Sequence, residues 1–214
     1  MLTQLTEIEA RVVGVLVEKQ LTTPENYPLT LNSLVNGCNQ KTNREPVVAY
    51  DDSTVTRTLE NLREKNLVYV FYGSTSRVPK YKHMLPEVYD LKPPETAIVS
   101  VLMLRGAQTL GELRERTSRL YEFSGLGEVN ETLDNLTARD EPLVIKLERL
   151  AGQKEVRYAH LLSGEVTQIA PAERAFSVST KDERIGKLEE SVESLTAQVA
   201  EIRQMFEDFK KQFE

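Results

Sequence analysis

Apolar residues recur in steps of three and four from the start of the chain. Ile8, Val12, Val15 and Leu16 predict a first helix running to about Gln20. Thr6 followed by Glu9 has the form of a capping box, in which hydroxyl and carboxylate each take a backbone N–H at the helix start. Thr22 to Pro28, with its two prolines, predicts a loop. Thr30 then caps a short helix with Leu31, Leu34, Val35 and Cys38 at i, i+3, i+4 and i+7. Asp51 to Lys65 predicts a third helix with Val55, Leu59 and Leu62 facing inward. Its opposite face carries Ser53, Thr54, Arg57, Glu60, Asn61 and Glu64. Val68 to Phe71 predicts a strand, Gly73-Ser74-Thr75-Ser76 a turn, and the residues up to His83 a second strand. This order is that of a winged helix-turn-helix.

The same pattern is written twice. Val55, Thr58, Leu59, Asn61 and Leu62 keep their mutual spacing in Val129, Thr132, Leu133, Asn135 and Leu136, at an offset of 74. Val68-Tyr69-Val70-Phe71 has a counterpart in Val144-Ile145-Lys146-Leu147, and Tyr81, His83 and Leu85 match Tyr158, His160 and Leu162 at an offset of 77. Upstream, Val12, Val13, Val15 and Leu16 match Ile98, Val99, Val101 and Leu102 at an offset of 86, and Thr30-Leu31 with Leu34 match Thr109-Leu110 with Leu113 at 79. The changing offset places the length differences in loops, as a true repeat requires. The expected fold is α+β, mainly helical with small β wings. Two tandem winged-helix domains are expected at 1–85 and 86–165, with Pro86 to Pro94 joining them and Pro93-Pro94 opening the next helix.

Residues 166–182 predict a polar tether, and 183–214 a helix in which Ile185, Leu188, Val192, Leu195, Val199 and Ile202 alternate in threes and fours. That is a coiled-coil pattern. Self-association through this seam is expected first, with docking on the chain's own body or a partner protein, and a free helix, as the alternatives.

Charge changes the picture by its distribution. Lys and Arg number 10 against 9 Asp and Glu over residues 1–85, 10 against 14 over 86–165, and 7 against 10 over 166–214, for a net charge of −6. The acidity therefore lies outside the first repeat, and such a balance excludes a simple nucleic-acid coat. From Asn66 to Pro86 there is no carboxylate, while Arg77, Lys80 and Lys82 supply positive charge. The second third helix exposes Glu128, Glu131 and Asp134 where the first exposes Thr54, Arg57 and Glu60. Three carboxylates there repel a phosphate backbone.

One cysteine permits no internal disulfide, and no signal-like or membrane-length apolar run occurs, so a cytoplasmic protein is expected. Cys38 falls on a buried stripe, which favours core packing over a reactive thiol. One Cys and two His are too few soft ligands for a structural zinc site, and no cofactor is expected. Gly125-Leu126-Gly127 lacks the third glycine of a dinucleotide fingerprint, no Walker pattern occurs, and neither His83 nor His160 has an evident nucleophile beside it. The two histidines read as structural, closing each wing onto its core, and no enzyme is expected.

The run Asn32-Ser33-Leu34-Val35-Asn36-Gly37-Cys38-Asn39-Gln40-Lys41-Thr42-Asn43-Arg44-Glu45-Pro46-Val47 resembles the YceH family of uncharacterised bacterial proteins. So do Leu102 to Gly106, Gln108-Thr109, Gly111 to Arg114 and Tyr81-Lys82-His83. The resemblance implies two tandem winged helices and a bacterial cytoplasmic protein, and it brings no activity or functional residue.

Two functions fit these features. In the first, a DNA-binding regulator or nucleoid-associated protein, Arg57 and Asn61 read base edges on double-stranded DNA, with Thr54 beside them. Lys41, Arg44, Arg77, Lys80 and Lys82 then take phosphates. In the second, the tandem repeat is a protein-interaction scaffold, similar in architecture to segregation and condensation protein B, and the same residues are solvated faces.

Overall fold

The computed structural model describes residues 4–72, 78–149 and 155–164. Helix α1 (Glu7–Thr22) starts at the expected capping box: Glu9 N–H donates to Thr6 Oγ1 at 3.2 Å, and Thr6 N–H to the Glu9 carboxylate at 2.7 Å. Helix α2 (Leu31–Cys38) starts at Thr30, whose hydroxyl accepts the Ser33 N–H at 3.3 Å. Helix α3 (Asp52–Glu64) follows an Asp51 cap and buries Val55, Thr58, Leu59 and Leu62, the inward stripe that its periodicity predicts.

Three short strands complete the first repeat. They are β1 (Leu29–Thr30), β2 (Val68–Phe71) and β3 (Lys80–His83), antiparallel in the order β1-β3-β2. Strand β1 lies at the end of what composition reads as a loop. Its side chains are too few to show a period, and Leu29 earns its place by pairing with Tyr81. The stretch expected to be a plain connection also holds helix α4 (Leu85–Tyr89), which closes on Asp90 at φ 49°.

The order then recurs as α5 (Pro93–Arg105), α6 (Leu110–Thr117), α7 (Leu126–Thr137), β4 (Val144–Lys146) and β5 (Tyr158–His160). Equivalent atoms make equivalent bonds. Leu67 N–H donates to Leu62 O as Leu143 N–H does to Leu136 O, and Met84 N–H to Leu67 O as Leu161 N–H does to Leu143 O. Gln108 pairs with Tyr158 where Leu29 pairs with Tyr81.

Residues Met1–Val166 form one compact unit, in which α1 packs along α5. Both helices are apolar nearly all round, as befits central helices. Val12, Val13, Val15 and Leu16 are fully buried, as are Ile98, Val99 and Leu102. Each such side chain stabilises the fold by roughly 1.5–3 kcal/mol. Between them Ser100 Oγ donates to Gly14 O at 3.2 Å. A Cβ on Gly14 would stand 3.0 Å from Leu104 Cγ, so any larger residue there would press on that side chain. Gly14 and Ser100 are counterparts in the repeat, and the two halves therefore meet through equivalent points. Among the described residues, no helix is long and apolar enough to cross a membrane.

Candidate nucleic-acid interface

The inward stripe of α3 leaves its other face to solvent. Arg57 and Asn61 are exposed, one helical turn apart, and Thr54 is half-buried a turn earlier. Neither the Arg57 guanidinium nor the Asn61 amide has a hydrogen-bond or ion-pair partner among the described residues. Both are thus free to meet a ligand, although Glu60 and Glu64 are exposed on the same helix and dilute its positive potential. The start of α3 is already committed: the Asp51 carboxylate accepts the Thr54 N–H at 2.7 Å, and hydrogen bonds from Thr54 and then Ser53 hold its carboxyl below the usual range.

The hairpin after α3 has two unlike faces because successive strand residues point to opposite sides. Val68 and His83 face each other and are buried. Tyr69 lies opposite Lys82 and Phe71 opposite Lys80, so these four side chains share the outer face. Tyr69 is 61% exposed and Phe71 46% exposed. Lys80 and Lys82 are half-buried, and no carboxylate pairs with either among the described residues. The two aromatics were legible as the alternate positions of Val68-Tyr69-Val70-Phe71, but reading that run as uniformly apolar hides them. Arg77 lies outside the described residues.

Arg44, expected to contact phosphate, points inward. Its side chain is fully buried, with Nη2 2.6 Å and Nη1 3.0 Å from the Glu18 carboxylate, Nε 3.0 Å from Gly37 O, Nη1 2.9 Å from Asn43 O and Nη2 2.9 Å from Gln40 Oε1. No donor remains for a ligand. The Asn-rich run around it is a loop held by internal hydrogen bonds. Asn39 braces it by donating to Tyr50 O at 2.7 Å and accepting Tyr50 N–H at 2.8 Å. Arg11 donates to Pro46 O at 2.7 Å, and Arg105 to Asn43 Oδ1 at 2.6 Å. Burial, with Arg44 beside it, pushes the Arg11 guanidinium below its ordinary pKa. Of the loop's two expected contacts only Lys41 is exposed.

The second repeat presents different chemistry at matching places. Glu131 and Asp134 are exposed on α7, whereas Glu128 is turned back as a cap. It accepts from Ser124 N–H at 2.7 Å and Tyr121 OH at 2.9 Å, and these bonds hold its carboxyl below the usual range. On the hairpin, Ile145 lies opposite Ala159 where the first repeat has Tyr69 opposite Lys82. Lys80's counterpart, Arg157, is spent on Glu112 at 3.0 Å and Ala107 O at 2.8 Å.

The remaining candidate groups are internal. His83 Nε2 meets Gln20 Oε1, while its Nδ1 accepts the Leu85 N–H at 3.3 Å, which fixes a neutral tautomer. Burial, with Lys82 nearby, lowers its pKa to about 4, and burial alone lowers that of His160 to about 4. Burial pushes the Cys38 thiol up to about 12, so a thiolate nucleophile is not available there. Among the described residues there is no group of three or more His, Cys, Asp and Glu able to hold a metal. Ile185, Leu188, Val192, Leu195, Val199 and Ile202 lie outside the described residues.

Comparison with known proteins adds a family. Residues 5–153 match the model described as "Protein of unknown function, DUF480". A UPF0502 protein of Pelobacter propionicus is 49% identical over 98% of both chains. One of Geobacter sulfurreducens is 48% identical, again over 98% of each. The UPF0502 protein YceH of Salmonella arizonae is 45% identical over 94% of each.

Proposed function

Since the chain belongs to the DUF480 family, whose description names no activity, we propose from its own surface that it is a DNA-binding protein of the regulator or nucleoid-associated kind. In this reading each repeat is a winged helix, and only the first contacts the duplex. Helix α3 enters the major groove, where Arg57 suits guanine and Asn61 suits adenine, each in bidentate geometry. Lys80, Lys82 and Lys41 take backbone phosphates.

The observation that carries the reading is the pair Arg57 and Asn61, exposed one turn apart without partners on the helix that precedes a lysine-bearing hairpin. The heptad pattern of 185–202 supports pairing of two copies, which would present two such helices to a two-fold site. A scaffold reading draws on a separate observation, the acidic α7 face with Glu131 and Asp134, which suits a basic protein partner. Fluorescence anisotropy of labelled genomic duplexes, titrated at low and moderate salt, tests the choice. Salt-dependent binding that Arg57→Ala with Asn61→Ala loses is expected. Absence of binding at low salt, where electrostatics are strongest, refutes DNA binding and leaves the scaffold.

A further inference from the structure

Docking α3 in a duplex groove uses the lysines of the hairpin but gives Tyr69 and Phe71 nothing to do. Large aromatics are costly to leave in water, and a protein surface keeps them together where something covers them. Here they stand on alternate residues of β2, with side chains about 6.6 Å apart along the strand. Lys82 lies opposite Tyr69 and Lys80 opposite Phe71, so each ring has a cation beside it on the same face.

We propose that this outer face of the hairpin binds single-stranded nucleic acid. Two consecutive bases lie on the rings of Tyr69 and Phe71, and the phosphates that flank them run along Lys82 and Lys80. The spacing fits an unpaired strand. Bases in a duplex follow one another at about 3.4 Å along a strand, and rings about twice that far apart hold bases that have been splayed from one another. Charge selects the occupant: the face offers two cations, and no carboxylate occurs from Asn66 to Pro86. Stacking on aromatic faces tolerates any base, so the site is one of strand form rather than of sequence. The second repeat lacks it, with Ile145, Ala159 and a committed Arg157 at the matching places.

This surface shares Lys80 and Lys82 with the duplex contact of α3 but adds the two rings and does not use Arg57 or Asn61, so the two are separable by experiment. The probes are a labelled mixed-sequence oligonucleotide of about 16 nucleotides and the same strand annealed to its complement, each titrated with the full chain. Tyr69→Leu with Phe71→Leu keeps the face apolar and removes the stacking. It is expected to weaken single-strand binding about 25-fold or more, with duplex binding changed far less. Arg57→Ala with Asn61→Ala is expected to leave single-strand binding in place. The chain has no tryptophan, so Tyr69→Trp installs one indole whose emission reports the site directly. Quenching of that emission by the single strand is the expected result, and circular dichroism melts establish that each variant is folded. Absent single-strand binding, binding that survives the leucine pair, or an indole that the strand does not perturb overturns the assignment. So does a leucine pair that abolishes self-association but not strand binding, which would make the face a contact between copies.

Discussion

The two repeats share a skeleton and differ in what they offer to solvent. His83 and His160, Leu62 and Leu136, Gly14 and Ser100 occupy matching structural places. By contrast Arg57 stands where Glu131 does, Lys82 where Ala159 does, and Tyr69 where Ile145 does. The inward positions keep their places in both repeats, while the outward positions carry different chemistry. In the proposed reading that difference gives DNA contact to the first repeat and support to the second.

The largest effect should come from a contact that only the first repeat has. Glu18→Ala strands the buried Arg44 guanidinium and is expected to cost about 3–5 kcal/mol in chemical denaturation. A loss below ~1 kcal/mol would show that the Asn-rich loop is not held by this pair.

Next comes a property the repeats share. An unfolded histidine titrates near 6.5 and both native imidazoles near about 4. The unfolded chain therefore binds protons first as pH falls. Their contribution is complete above about pH 6.5 and declines toward pH 4, by up to about 3 kcal/mol for each histidine. Replacing both with Gln should flatten that part of the stability profile, and an unchanged slope contradicts the shared structural role.

A smaller effect separates α2 from α6. In Gly37→Ala the new Cβ would stand 2.6 Å from Val15 Cγ1, and the branched side chain has little freedom to yield. Overpacking of about 1–3 kcal/mol, less about 1 kcal/mol regained in helix propensity, leaves a net loss of about 1 kcal/mol. At the counterpart, Arg116→Ala breaks only a partly exposed pair with Glu112 at 3.4 Å, and should cost under about 0.5 kcal/mol. Thermal melts of the two variants give the comparison.

The smallest effect is electrostatic. Lys80→Ala and Lys82→Ala should each lower the salt slope of duplex binding by about 0.9, with little change in stability. An unaltered slope removes those lysines from the interface.

Much of the skeleton was legible in the sequence, since long periodic stretches and caps such as Thr6 with Glu9 and Thr30 are local signals. Strand β1 was not, because Leu29 and Thr30 become a strand only through the distant partners Tyr81 and Lys80. The candidate site was read in part. Arg57 and Asn61 lie on the exposed face of α3 that helical periodicity implies. Arg44 was misplaced because an arginine in a polar run looks exposed until Glu18, 26 residues earlier, is brought beneath it. Tyr69 and Phe71 needed the register of β2 against β3 before they could be set beside two lysines.

The central claim is that the first repeat, and not the second, meets DNA, and exchanging the residues that distinguish them tests it most directly. Duplex anisotropy at low salt would be measured for Arg57→Glu, which gives the first repeat its counterpart's charge, and for Glu131→Arg, which does the reverse. The account predicts that Arg57→Glu abolishes binding while Glu131→Arg binds as tightly as the unmodified chain or more so. Retained affinity in Arg57→Glu, or loss of binding in Glu131→Arg, would contradict it.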